Sequence, residues 1–471
     1  MLDRFTTMQK RSLSTDWSRD LGALDLRNHA LGIGGVHSAP PPAGIVAQTA
    51  ALKPRMVRVF LQEFFYVYGG RESPRAGNKF DWSRLDPYMD AVRAMGGDIM
   101  ASICIKPKAL YPEINEDIWR PADVAEWQDV VRALVLRYGK EKPYVTHWSV
   151  ANETNIGEDG GCPFRITNPG DMFEYYRMTA EPIREVLPGA KIGGTSYAGG
   201  GEGAAEYLAR LVELCVQNGV AIDFTCYNAY CDNPARHAAG ARAIRDALDR
   251  HIHGLPLYMT EFNIGICNEP TVVEKSHDPK RAASLAASVI TLHDDDALAG
   301  TFQYHIYDQW CDPREFAPWY AKTRHMAEHW NDTGHRLGLF GQNGSPRPQY
   351  FMYKMLYSMT GRRAALEGTG GDLYGLASRA EDGTLSLFLV NFAETGAADI
   401  LARVRFANAP EGVRRFVTRR LTDAPGAACD RTTEDRVVHA HHDFHFDLHV
   451  PADTVTFAQL IPHNQHKHFE P

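Results

Sequence analysis

Between residues 30 and 360 the chain alternates short, almost continuously apolar runs with longer segments of helical period, and this alternation restricts the fold more than any other feature. The runs are LGIGGVH (31–37), MVRVFLQ (56–62), DIMASICI (98–105), YVTHWSVA (144–151), AKIGGT (190–195), IDFTCY (222–227), LPLYMTEF (255–262) and AGTFQYH (299–305). A half-buried strand alternates apolar with polar residues. A strand covered on both faces does not, so these eight read as strands of an all-parallel sheet under helices. In ADVAEWQDVVRALVLRYG, residues Val124, Trp127, Val130, Val131, Leu134 and Leu136 recur near the 3.6-residue period. DMFEYYRMTAEPIREVL, GAAEYLARLVELCVQNG and PKRAASLAASVITLHD repeat the pattern, and Gly219 stands where a left-handed cap would close one of them. Eight strands alternating with helices predict an α/β chain whose residues 28–360 form a (β/α)8 TIM barrel. A doubly wound open sheet is the competing topology. It is weakened because no strand runs into the glycine fingerprint of a dinucleotide site, and VHSAPPP after LGIGG cannot start a phosphate-binding helix.

Past residue 360 the pattern changes. TLSLFLVNF (384–392) and DFHFDLHV (443–450) are strand-like, and the second alternates strictly, with Phe444, Phe446, Leu448 and Val450 on one face. Residues 361–471 are therefore expected to form a small C-terminal β-sandwich, with residues 1–27 ambiguous and attachment to that sandwich one option. The same alternation places His445 and His449 with Asp443 and Asp447 on a polar face. The histidines 439, 441, 442, 445 and 449 and the tail HNQHKHFEP thus read as solvated surface, not as a metal site. Asp294-Asp295-Asp296 reads as a helix end on the surface and lacks the spaced ligands of a calcium loop. The 58 acidic and 50 basic residues are mixed along the chain without a long basic block, which argues against nucleic acid or an anionic membrane as a partner. MLDRFTTMQKRSLSTDW lacks the apolar core of a signal peptide, and nothing offers an uncharged span, so a soluble, cytoplasmic protein is expected. None of the eight cysteines forms a C-x-x-C pair; reduced thiols are expected, with Cys104 and Cys226 acting as small hydrophobes inside strands.

In a parallel barrel, catalytic groups stand where strands end and βα loops begin. WSVANETN (148–155) closes the fourth strand candidate on Glu153, a carboxylate between amides, and LYMTEFN places Glu261 at the end of the seventh. They lie 108 residues apart, three βα repeats of 36. Strands four and seven of a closed eight-strand barrel face each other across its mouth. Two carboxylates aimed at one cavity from opposite walls are what glycosidic bond cleavage needs, one protonated to serve the departing oxygen and one ionised at the anomeric carbon. Either glutamate alone reads as a loop carboxylate in water; the pair at matching strand ends favours a site. Trp310, Trp319, Trp330 and Tyr320 follow the eighth strand and are read as either a sugar-subsite wall or plain packing.

The motif Trp148-Ser149-Val150-Ala151-Asn152-Glu153-Thr154-Asn155 resembles the fourth-strand motif of clan A retaining glycosidases, most closely glycoside hydrolase family 39, the family of β-xylosidases and α-L-iduronidases, where Trp-Asn-Glu-Pro-Asn is usual. Leu136-Arg137-Tyr138-Gly139 before it, Lys191-Ile192-Gly193-Gly194, Ile222-Asp223-Phe224 with Tyr230, Thr260-Glu261-Phe262-Asn263, Phe340-Gly341 and Pro348-Gln349-Tyr350 extend the similarity over most of the chain. The resemblance implies an exo-acting, β-xylosidase-like enzyme on an oligosaccharide or glycoside, with Glu153 as acid/base and Glu261 as nucleophile, and no metal or organic cofactor. It implies that Asn152 bonds the sugar 2-hydroxyl, that Tyr230 approaches Glu261, and, more weakly, that Arg58 supports Glu261. Ala151 and Thr154 depart from the motif, which would make the wall beside the acid smaller and more polar. Asn228 replaces the usual His before Tyr230, and Phe60 replaces a sugar-binding His on the second strand. His37 is a further candidate sugar ligand, and Tyr304, His305 or Trp310 are candidates to replace the usual eighth-strand Trp platform. Xylose is accordingly one option beside another pentose, a hexose or a uronic acid. The rival classes are a non-catalytic carbohydrate-binding barrel and a metal-dependent hydrolase or lyase, for which His37, His147 and His305 supply no spaced ligand set.

Overall fold

The computed structural model describes residues 8–35, 39–70, 80–265, 278–328, 331 and 336–463. Eight parallel strands close into a barrel in chain order: β2 His29–Gly32, β3 Met56–Gln62, β4 Asp98–Cys104, β5 Val145–Asn152, β6 Lys191–Ala198, β7 Phe224–Tyr230, β8 Leu257–Asn263 and β9 Gly300–Tyr304. They are preceded by a long strand, β1 Gln9–Ala23. β3 and β4 are buried along almost their whole length, as continuous apolar runs require of strands covered from both sides. The first barrel strand differs from the sequence expectation: it starts at His29 and ends at Gly32, before the run LGIGGVH is complete. The glycines that follow let the chain pass close to Gln309, whose side chain would lie 2.3 Å from a Cβ on Gly34. His37 lies outside the described residues.

The helices lie where the period predicts them. Val124–Val135 buries Trp127, Val130, Val131, Leu134 and Val135, and Asp123 caps it by accepting from the Glu126 N–H at 3.1 Å. Gly219, with φ +65°, follows the helix Glu202–Gln217 in the left-handed conformation a C-terminal cap uses. The helix Pro279–His293 ends before the three aspartates, but Asp295 is not a surface residue: its side chain is 7% exposed and paired with Arg242 at 2.7 Å. Inside the barrel, Ala30, Met100, Phe224, Cys226 and Phe302 pack into an apolar floor beneath the mouth.

The C-terminal strands are β10 Arg362–Glu367, β11 Leu373–Arg379, β12 Leu385–Asn391, β13 Ile400–Ala407, β14 Gly412–Leu421, β15 Asp430–Ala440, β16 Asp443–Val450 and β17 Thr454–Pro462. With β1 they form one sheet in the order β15-β14-β17-β12-β11-β10-β1-β13-β16. The sheet folds over itself: Phe416 on β14 meets Phe446 on β16, strands far apart in that order, with ring centroids 4.8 Å apart. This gives the expected β-sandwich beside the barrel. β16 alternates as read, burying Phe446, Leu448 and Val450 and exposing His445 and His449.

Candidate active site

Glu153 follows the last residue of β5, and the backbone there turns sharply. Ala151 and Glu153 both adopt left-handed conformations, φ 63° and 48°, which side-chain-bearing residues hold only where the surroundings enforce them. The Glu153 N–H donates to Ser196 O at 2.7 Å, and its carbonyl accepts from the Ile156 and Gly157 N–H groups, both at 3.0 Å. Glu261 stands on β8. A register irregularity between β7 and β8 pairs Asn228 with Glu261, bringing both to the mouth. Glu153 and Glu261 face one cavity of about 640 Å³, whose wall also includes Phe60, Gln62, Asn152, Asn228, Tyr230 and Tyr304.

Hydrogen bonds join the two carboxylates into one system. Arg58, on β3 and 1% exposed, donates from Nη1 to Glu261 Oε1 at 2.9 Å and from Nη2 to Asn152 Oδ1 at 2.7 Å. It also reaches Ser196 Oγ at 3.1 Å and Thr260 O at 3.1 Å. Tyr230 Oη donates to Glu261 Oε2 at 2.5 Å. Asn228 Nδ2 donates to Glu153 Oε1 at 2.8 Å and lies 3.2 Å from Asn152 Oδ1, while Thr260 Oγ1 contacts Asn228 Oδ1 at 2.8 Å. The path Glu153–Asn228–Asn152–Arg58–Glu261 therefore has no gap. The two acids nonetheless sit in different fields: Glu261 has a guanidinium on one oxygen and a phenol on the other, whereas Glu153 has one neutral amide. Burial, and then the charge of Glu261, push the Glu153 carboxyl well above the usual carboxylate range, and the Asn228 bond and Arg58 offset only part of this. Burial and the nearby Glu261 charge likewise hold Tyr230 neutral by raising its phenol. One acid is poised to keep a proton while its neighbour is cradled by donors.

The other expected site residues divide. Tyr304 lines the cavity and meets Tyr230 edge-on with centroids 6.1 Å apart. His305 does not line it. The side chain is fully buried and lies 3.7 Å from Asp308, which also pairs with Arg347. Burial would raise the Asp308 carboxyl, but the bonds from His305 and Arg347 prevail and hold it at about 2. Trp310 is 54% exposed and stands away from the cavity wall. Trp319 packs edge-on against Tyr66, and Tyr320 donates to Gly161 O at 2.8 Å, so both brace loops; Trp330 lies outside the described residues. Ala151 and Thr154, expected beside the acid, are buried away from the cavity, with Thr154 Oγ1 3.6 Å from Met172 Sδ. The left-handed turns at 151 and 153 carry them outward.

Ser196, Thr260 and Gly160 were not identified from the sequence as site residues. Ser196 lies past the expected end of the fifth run, because β6 continues to Ala198. The pair Gly160-Gly161 soon after the Glu153 motif was the one available signal for the third. Among the described residues, no three His, Cys, Asp or Glu are grouped to hold a metal ion, and no helix is long and apolar enough to cross a membrane.

A closed parallel barrel presenting glutamates from its fourth and seventh strands to one cavity is the architecture of the clan A glycosidases. The chain belongs to glycosyl hydrolases family 39, whose family model matches residues 50–387. It is 24% identical over 312 residues to a beta-xylosidase from Caldicellulosiruptor saccharolyticus, a match covering 61% of this chain and 58% of that relative. The chain thus spans less than two thirds of that relative's length. The crystal structure of a monomeric beta-xylosidase from Caulobacter crescentus CB15 aligns with a TM-score of 0.73 at 18% identity, over 96% of this chain and 99% of that one. A glucosidase from Croceicoccus marinus aligns with a TM-score of 0.73 at 17% identity, over 97% and 99%. At these identities the two structures speak for the fold.

Proposed function

We propose that the chain is a retaining, exo-acting glycoside hydrolase that removes terminal β-xylosyl units from oligosaccharides or glycosides. The observation that carries this reading is the contrast between the two acids: burial and the neighbouring charge favour the protonated form of Glu153, while Glu261 is held by Arg58 and Tyr230. In the first step a Glu261 oxygen bonds to the anomeric carbon, the bond to the departing oxygen breaks, and the Glu153 proton moves to that oxygen. In the second, Glu153 takes a proton from water as the water oxygen bonds to the anomeric carbon and the ester to Glu261 breaks. Asn152, fixed by Arg58 and Asn228, is offered to the sugar 2-hydroxyl, a contact that strengthens in the oxocarbenium-like transition state. Tyr304 offers a ring face to the sugar. The xylosyl preference follows the beta-xylosidase relative. The reading includes a reducing, cytoplasmic setting, with which the seven free cysteines among the described residues agree.

Glu261→Ala should abolish turnover, and azide should then give a glycosyl azide of inverted configuration from an activated aryl glycoside. In kcat/KM, which reports the first step, Glu153→Gln should lose roughly 100-fold or more on poor leaving groups and little on dinitrophenyl glycosides. Retained turnover in the first variant removes the nucleophile, and equal losses in the second remove the acid. A panel of aryl xylosides, glucosides, arabinosides and uronides of both anomers separates the sugar readings.

A further inference from the structure

Gly160 lies on the cavity wall beside Glu153, and its backbone gives no reason for a glycine, since its φ is outside the left-handed range. Space gives the reason. A Cβ at position 160 would stand 2.3 Å from Glu153 Oε2, 2.7 Å from Glu153 Cβ and 2.9 Å from Ile156 Cδ1, all well inside van der Waals contact. The turn that carries Gly160 cannot readily retreat. Glu158 accepts from the Ala321 and Lys322 N–H groups at 3.0 and 2.7 Å, and its own N–H donates to Glu116 Oε2 at 2.7 Å. Gly161 O accepts from Tyr320 Oη at 2.8 Å, and just beyond the turn the Lys106 ammonium donates to Pro163 O at 3.0 Å. A methyl group at 160 would therefore displace the Glu153 side chain and leave the turn in place.

The two oxygens of Glu153 are not equivalent. Oε1 accepts from the Asn228 amide, whose Nδ2 also donates to Asn152 Oδ1, an oxygen identified by the Arg58 guanidinium that donates to it, and an amide N–H can only donate. Oε1 is thus the acceptor in both protonation states, and the proton belongs on Oε2, the oxygen that Gly160 faces. We propose that Gly160 is a positioning residue for this acid: by lacking a side chain it keeps open the place where the proton-bearing oxygen stands. The proposal rests on the reading of Glu153 as the acid/base.

The test is Gly160→Ala, assayed on aryl glycosides of graded leaving-group acidity, with rates referred to sites titrated by a 2-deoxy-2-fluoro dinitrophenyl glycoside. In kcat/KM, which reports the first step, roughly 100-fold loss is expected on the poorest leaving group and less than about threefold on dinitrophenyl. The alkaline limb of kcat/KM should move as well. An unaltered dependence on leaving-group acidity overturns the proposal. A stability cycle keeps it testable if the variant folds poorly. Gly160→Ala should lower Tm in the native background and clearly less beside Glu153→Gly, a substitution suited to the φ of 48° at that position, where only the contact with the flexible end of Ile156 remains. Equal lowering in both backgrounds, or no folded protein in either, also overturns it. Failure of the acid assignment shows separately, as Glu153→Gln losing equally on all leaving groups.

Discussion

Two glutamates in one cavity are useful only if their proton affinities differ, and here single side chains set the difference. Asn228 donates to Glu153 Oε1 and so favours the ionised form; with burial and Glu261 raising the group, it is a brake on that rise. Asn228→Ala should therefore move the alkaline limb of the kcat/KM profile to higher pH. It should also cost about tenfold in kcat, the kinetic equivalent of a hydrogen bond worth ~1.4 kcal/mol. A limb that moves to lower pH would show that the amide serves the neutral acid. The same raised carboxyl has a consequence for stability. The native chain holds the Glu153 proton to higher pH than the unfolded chain, whose glutamates titrate near 4.5, so stability falls as pH rises above that value. In Glu153→Gln that contribution to the slope disappears, and its Tm relative to the native chain should rise as pH rises above the usual glutamate range. Both acids were legible in the sequence because each ends an apolar run at a barrel-strand position. Gly160 and Ser196 were not, since what they touch depends on the path of a turn and on where a strand stops. His305, one of three candidates for the sugar platform, lies off the cavity for a related reason: its partner Asp308 is three residues on, and only the loop's fold turns the pair inward.

At the scale of elements, the barrel was readable because its strands are covered on both sides and its helices carry one apolar face. In the helix Val124–Val135 that face has a specific anchor. Trp127 is fully buried, and its Nε1 donates to Thr179 Oγ1 at 3.1 Å on the neighbouring helix Pro169–Val186. Trp127→Phe should cost about 1–3 kcal/mol, from the unpaired Thr179 hydroxyl and the lost ring volume. Trp127→Ala should cost about 3–5 kcal/mol. Urea unfolding measures both, and a phenylalanine variant as stable as the native chain would show that Thr179 finds another partner. Strand ends were the least readable feature. β6 and β7 run three residues past their apolar runs, because at the mouth polar side chains are satisfied by the site's own hydrogen bonds and need no apolar cover.

At the scale of the molecule, the strand whose place the sequence leaves ambiguous is an interior strand of the accessory sheet, between β10 and β13. β1 pairs antiparallel with β10 and, from Gln9 to Asp16, parallel with β13, so among the described strands the ladder that links the β13–β16 pair to the rest of the sheet runs through it. It also contributes Leu13 and Trp17 to the sandwich core, the latter edge-on to Phe406 with centroids 5.0 Å apart. Its sequence, QKRSLSTDWSRDLGA, is mostly polar and so carries little strand signal; its position is dictated by partners some 340 to 390 residues away. The opposite face of the sheet is joined to the barrel: Phe388, Val390, Val455 and Phe457 share one apolar cluster with the barrel helices. Lys280–Asp453 at 3.4 Å and Arg363–Asp294 at 2.6 Å cross the same boundary. Deleting residues 1–23 should therefore divide the sheet without touching the catalytic cavity. Loss of Leu13 and Trp17 alone removes about 1.5–3 kcal/mol of burial each, and the two bared strand edges invite association. Calorimetry should show the single native transition replaced by two, with the barrel unfolding last, and light scattering should show self-association. Turnover per titrated site should stay at the native value. One transition at the native temperature would mean that β13 and β16 hold to the sandwich through packing alone.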